Sequence, residues 1–142
     1  NMSRVFEHSI EADLENLKSV RSFIKESGQI LGVDDDTLGD LCLVVDEAVT
    51  NIVLHGYDGQ KGTVDLLVKS DGSDMVITLR DTAPYFDDSS VQTPHLDEPL
   101  AERKFGGMGV YLIRKLTDEF ELRNLSKQGN ELFLLKRGVV KN

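Results

Sequence analysis

Residues 38–55 read Leu38-Gly39-Asp40-Leu41-Cys42-Leu43-Val44-Val45-Asp46-Glu47-Ala48-Val49-Thr50-Asn51-Ile52-Val53-Leu54-His55. At about 100° per residue, Leu38, Leu41, Cys42, Val45, Ala48, Val49, Ile52 and Val53 form one broad apolar stripe, the face that a helix lays on a sheet. The opposite side should be polar, yet Leu43, Val44 and Leu54 flank Glu47 and Asn51 there, and only Asp46 and Thr50 mark a wet sector. A carboxylate and an amide among apolar neighbours are costly to bury without partners. Two readings stay open. Glu47 and Asn51 are surface residues of an ordinary amphipathic helix, or they are the convergent polar groups of a pocket rimmed by the second apolar edge. His55 continues their line one turn further, as a helix cap or as another ligand.

Working outward, Asp34 to Asp36 offers an N-cap for this helix, and Gly56 with the 58–62 loop stops it. Upstream, Asp13 caps a first helix in which Leu14, Leu17, Val20, Ile24 and Leu31 recur at helical spacing, ending at Gly32. Arg4 to Ile10 reads as a short edge strand. Downstream, Thr63–Lys69 and Met75–Arg80 flank the turn Ser70-Asp71-Gly72-Ser73 and predict a hairpin. From Asp81 to Gly107 the texture is irregular and holds Pro84, Pro94 and Pro99, which fits a functional lid. Gly109–Leu116 resumes a helical pattern, and Phe120–Leu125 with Glu131–Lys136 reads as a second hairpin. This order predicts an α+β two-layer sandwich, a mixed, mainly antiparallel sheet with three main helices on one face.

The bulk numbers narrow the function. A chain of 142 residues, 39% hydrophobic and 29% charged, suits one domain spanning 1–142 with a sizeable core. The formal net charge of -9 repels phosphate backbones and weighs against nucleic acid as the main partner, although Arg103-Lys104 is a local basic pair. The apolar runs are far shorter than the roughly 20 residues of a membrane span. Asn1 before Met2 reads as a tag remnant, and no export leader is evident, so the cytoplasm is expected. Cys42 stands alone, which excludes an intramolecular disulfide and disfavours a cysteine-based zinc site.

Two further segments bear on chemistry. Phe105-Gly106-Gly107-Met108-Gly109-Val110 falls where the lid is expected to end and a helix to begin, and free N–H groups at a helix start can seat phosphate. The strand that a dinucleotide fingerprint needs before its glycines is missing, as are the Lys and Ser/Thr of a P-loop. Asp81 closes an apolar strand ahead of Thr82-Ala83-Pro84. It is either a turn-forming strand end or a buried carboxylate that accepts a hydrogen bond from a purine amino group.

In order along the chain, Asp46–His55, Asp81–Pro84 and Gly106–Val110 resemble the motifs of the Bergerat-type ATP-binding fold shared by gyrase, the heat-shock chaperone, histidine kinases and MutL. Gly106–Ile113, then Asp118-Glu119-Phe120 and Gly129-Asn130, are similar to the anti-sigma-factor serine/threonine kinase branch. The resemblance implies that Asn51 holds Mg²⁺ and that Glu47 is the catalytic base. It further implies that ATP is bound by Asn51, His55, Asp81, Ala83, Arg103, Lys104, Gly106, Gly107, Met108, Gly109 and Val110. The implied cofactors are ATP and Mg²⁺, with an ATP lid at about 82–107. The implied partners are a sigma factor and a STAS-domain anti-anti-sigma protein that accepts phosphate, with a possible homodimer and neither nucleic acid nor membrane. Ala83 departs from the Gly usual in the adenine motif, where a methyl would either crowd the base or alter the loop. That departure supports the alternative of a non-catalytic, nucleotide-responsive partner-switching module.

Overall fold

A computed structural model describes residues 3–84 and 98–141. Five strands, β1 (Val5–Glu11), β2 (Thr63–Asp71), β3 (Asp74–Asp81), β4 (Glu119–Asn124) and β5 (Asn130–Lys136), form one sheet in the order β1-β2-β3-β5-β4. Three long helices accompany them, α1 (Leu17–Ile30), α2 (Asp35–Asn51) and α3 (Glu98–Leu116). The α+β two-layer architecture follows the sequence expectation, and the sheet is antiparallel at every described pairing. The β2–β3 hairpin turns on Gly72, whose φ of 62° suits the first position of a two-residue turn between Asp71 and Asp74.

Alternation along the strands divides the sheet into two faces. Val64, Leu66 and Val68 of β2, Met75, Ile77 and Leu79 of β3, and Leu132 and Leu134 of β5 turn inward and share one core with the helices. α2 is the middle helix: it packs against α1 on one side and α3 on the other. This position explains why α2 is apolar nearly all round. Leu41, Val45 and Val49 reach the core, and Val44, assigned to a pocket rim by helical spacing, is also fully buried. Leu43 and Leu54 alone of that rim are exposed. Asp46, expected on a wet sector, faces α1 and pairs with Arg21 at 2.9 Å. Both side chains are partly exposed, so the pair adds at most about 1 kcal/mol.

Each main helix start has a local cause. Asp34 caps α2 by accepting the Thr37 N–H at 2.8 Å, which holds its carboxyl below the ordinary carboxylate range. Asp35 and Asp36 add negative charge to the first turn. α1 is preceded by a short 3₁₀ turn capped by Asp13. α3 begins at Glu98 and not at Gly109 as the sequence pattern predicts. The reason is Pro99: it sits in the first helical turn, where a missing N–H costs nothing, and Leu100 to Lys104 are good helix formers. Among the described residues no helix is long and apolar enough to cross a membrane.

Candidate functional site

The end of α2 supplies one half of the site. Asn51, its last residue, is 9% exposed and donates Nδ2 to the Glu47 carbonyl at 2.9 Å and to Glu47 Oε2 at 3.2 Å. The amide nitrogen is thus committed to Glu47, and the amide oxygen is what Asn51 can offer a ligand. A hard cation such as Mg²⁺ takes oxygen ligands, so the donor set fits it. No three His, Cys, Asp or Glu side chains converge on a cage among the described residues. A cation held here would therefore complete its shell with water and substrate oxygens.

Beyond Asn51 the helix widens into a π-helical turn, Ile52–Tyr57, in which the Asp58 N–H reaches back to the Val53 carbonyl at 3.2 Å. Such turns are rare and often mark functional sites. His55 lies inside this turn and is exposed. The turn ends in left-handed backbone at Asp58, φ 50°.

The second half lies at the ends of β3 and β5. Val64, Asp81, Asn130 and Asn124 stand in one row across four strands, on the helix-facing side. Asp81 is 5% exposed, and its Oδ1 accepts both the Ala83 N–H at 3.0 Å and Asn130 Nδ2 at 2.8 Å. Asn130 Oδ1 is buried and without a hydrogen-bond partner among the described residues. A buried acceptor without a partner beside the Asp81 carboxylate suits a ligand that brings N–H donors, such as an exocyclic amine.

One packing contact joins the halves. A Cβ built on Gly56 would stand 3.1 Å from the Ala83 Cβ, so the Ala83 methyl rests on the bare backbone of the π turn. Ala83 is 4% exposed. The methyl fills the space that Gly56 leaves open.

The glycine motif differs from expectation. Gly106, Gly107 and Gly109 lie inside α3, where the helical ladder uses their N–H groups, so the expected helix-start phosphate cradle is not formed in this structure. Met108 is exposed on α3, while Val110 is buried and, with Ile113, joins the core. The side chains of Arg103 and Lys104, and residues 85–97 of the expected lid, lie outside the described residues. Composition and spacing did not single out Asn130 or Tyr57. Asn130 entered only through the Gly129-Asn130 resemblance, and the one local sign of Tyr57 is an aromatic that follows the helix-ending Gly56.

A sheet covered on one face by three helices, with polar groups at the end of the central one, fits the ATP-binding architecture that the motifs imply. Comparison with known proteins agrees: residues 10–136 match the histidine kinase-like ATPase domain, and the chain belongs to that family. A serine-protein kinase RsbW of Halalkalibacterium halodurans is 31% identical over 121 residues, covering 82% of this chain and 74% of that protein. Another, from Bacillus pumilus, is 30% identical over 131 residues, with 84% and 78% covered. An anti-sigma F factor of Clostridium kluyveri is 27% identical over 120 residues, covering 83% and 80%. These relatives set the chain in the anti-sigma kinase branch. The fold matches a crystal structure of the RsbU and RsbW domains of a Mycobacterium tuberculosis protein with a TM-score of 0.65 at 16% identity. That match covers 94% of this chain and 32% of the longer one.

Proposed function

We propose that the chain is an ATP-dependent serine/threonine protein kinase of the anti-sigma type, working as a single cytoplasmic domain. Its phosphoacceptor is a hydroxyl on a STAS-domain anti-anti-sigma protein, and it also binds a sigma factor. The observation that carries the reading is the Gly56–Ala83 contact, which brings the Glu47–Asn51 pair and the Asp81–Asn130 cluster together around one end of α2. The names of the relatives favour kinase activity and a sigma-factor partner.

In this reading Asp81, held by Asn130, accepts the adenine amino group. Asn51 holds Mg²⁺ through Oδ1, and the ion when bound offsets the charge of the phosphates. The acceptor hydroxyl oxygen forms a bond to the γ-phosphorus while the bond to the β–γ bridging oxygen breaks. ADP leaves with that electron pair, and Glu47 takes the hydroxyl proton. Arg103 or Lys104, in a lid spanning about 82–107, stabilises the charge on the transferring group. Glycine costs a helix interior about 1 kcal/mol per residue, so α3 unwinds most readily at Gly106–Gly109. Unwinding there frees N–H groups for phosphate. The outer sheet face carries Leu67, Val76, Phe133 and Leu135, of which Val76 is buried and the others are partly covered, a surface suited to pairing two copies.

The test is phosphate transfer. Glu47→Gln should abolish incorporation of labelled phosphate into a STAS-domain acceptor while leaving nucleotide affinity near wild type. Equal loss of both would make Glu47 a binding residue. Wild-type protein that binds nucleotide and partner but transfers nothing would instead establish the non-catalytic switching module.

A further inference from the structure

We infer that Tyr57 is a positioning residue for base recognition, fixing the Asp81–Ala83 segment through its hydroxyl; the inference rests on the nucleotide-site reading above. Tyr57 is the last residue of the π turn and is buried. Its hydroxyl donates to the Thr63 carbonyl at 2.6 Å and accepts the Thr82 N–H at 2.9 Å. The Thr82 Oγ1 lies 3.3 Å from the same oxygen. Thr63 opens β2, and Thr82 is the residue between Asp81 and Ala83. One hydroxyl therefore ties the end of the π turn to the start of β2 and to the segment that presents the Asp81 carboxylate.

The space around the ring is shaped for this seat. A Cβ on Gly62 would stand 2.1 Å from Tyr57 Cε1, so only glycine lets the ring lie where its hydroxyl reaches both strands. A phenylalanine would fill the same volume and bury the same apolar surface. What tyrosine adds is the two hydrogen bonds, and both end on backbone beside the site. Asp81 is held at one oxygen by Ala83 and Asn130. Tyr57 holds the intervening Thr82, which sets the direction from which the other oxygen is presented.

Removing the hydroxyl should therefore loosen base selection and leave phosphate binding intact. The experiment measures Kd for Mg-ATP, Mg-GTP and Mg-tripolyphosphate in wild type, Tyr57→Phe and Gly62→Ala, with amide hydrogen exchange on the nucleotide-free proteins. Tyr57→Phe should weaken ATP about 3- to 10-fold, the range a lost neutral hydrogen bond gives. The ATP:GTP preference should shrink by a similar factor, tripolyphosphate affinity should hold, and exchange should speed up at Thr82 and Ala83. Gly62→Ala, which displaces the ring, should give the same signature if Tyr57→Phe fails to fold. An unchanged ATP:GTP ratio, or equal weakening of ATP and tripolyphosphate, overturns the inference. If wild type binds no nucleotide, the site reading fails. Unchanged exchange at Thr82 in the variant then separately shows that the hydroxyl does not hold this segment.

Discussion

Gly129→Ala is the substitution whose cost can be worked most directly from the structure. Gly129 joins β4 to β5 with φ at 98°, a region that side-chain-bearing residues rarely adopt. A methyl there would stand 2.0 Å from the Asp81 carbonyl oxygen and 3.0 Å from Thr82 Cα. Both neighbours are backbone, so no rotamer change relieves the overlap. The positive φ alone costs about 1–2 kcal/mol, and overpacking adds roughly 1–3 kcal/mol. The sum, about 2–5 kcal/mol, is a large share of the roughly 5–15 kcal/mol that folds an ordinary domain. At about 2–4 °C per kcal/mol for chains of 150 residues or more, the melting temperature should fall by on the order of 10 °C. Urea titration gives the free energy, and nucleotide titration of the fraction still folded should show weakened ATP, because relief of the clash must shift Asp81. A loss below about 1 kcal/mol with unchanged ATP affinity would refute the reasoning. The loop would then absorb the methyl without moving β3.

Other perturbations follow from the same contacts. Gly56→Ala should destabilise the protein by about 1 kcal/mol or more, because Ala83 is held by Asp81 and Asn130 and cannot retreat. Adding Ala83→Gly should restore most of the loss, and a double-mutant cycle in urea with no coupling would contradict the contact. Asp34→Ala should lower the denaturation midpoint at neutral pH by removing the α2 cap. The Asp34 carboxyl is held below its ordinary range by the Thr37 N–H, so its contribution is complete above about pH 4 and is lost as pH falls through the lowered folded value. Midpoints of variant and wild type should therefore converge in acid; a constant gap would contradict that origin.

Much of the architecture was legible because it rests on local periodicity. The stripe from Leu38 to Val53 specifies a helix on a sheet, and alternating apolar residues around Gly72 specify a hairpin. Asp81 was recognisable as the polar end of an apolar strand. What escaped has no local signature. The Asp81–Asn130 bond spans 49 positions and arises from strand register. Tyr57 reaches Thr82 across 25 positions, and nothing in its neighbours announces the contact. The π turn at Ile52–Tyr57 adds winding without changing the apolar pattern, so spacing alone gives no sign of it. Pro99 shares its neighbourhood with the loop prolines, yet a proline in a first helical turn is compatible with the helix that follows. Helical spacing groups Leu43, Val44 and Leu54 in one rim, yet Val44 belongs to the core while Leu43 and Leu54 are exposed.

In the function proposed above, Asn51 and the Asp81 cluster form one magnesium-dependent nucleotide site. Titrating the whole protein with a fluorescent ATP analogue, with and without Mg²⁺, beside Asn51→Ala, tests it most directly. Binding that requires Mg²⁺ in wild type and is lost in the variant, with both proteins melting alike, is the predicted result. No binding up to millimolar nucleotide in wild type, or equal binding by the two proteins, would contradict it.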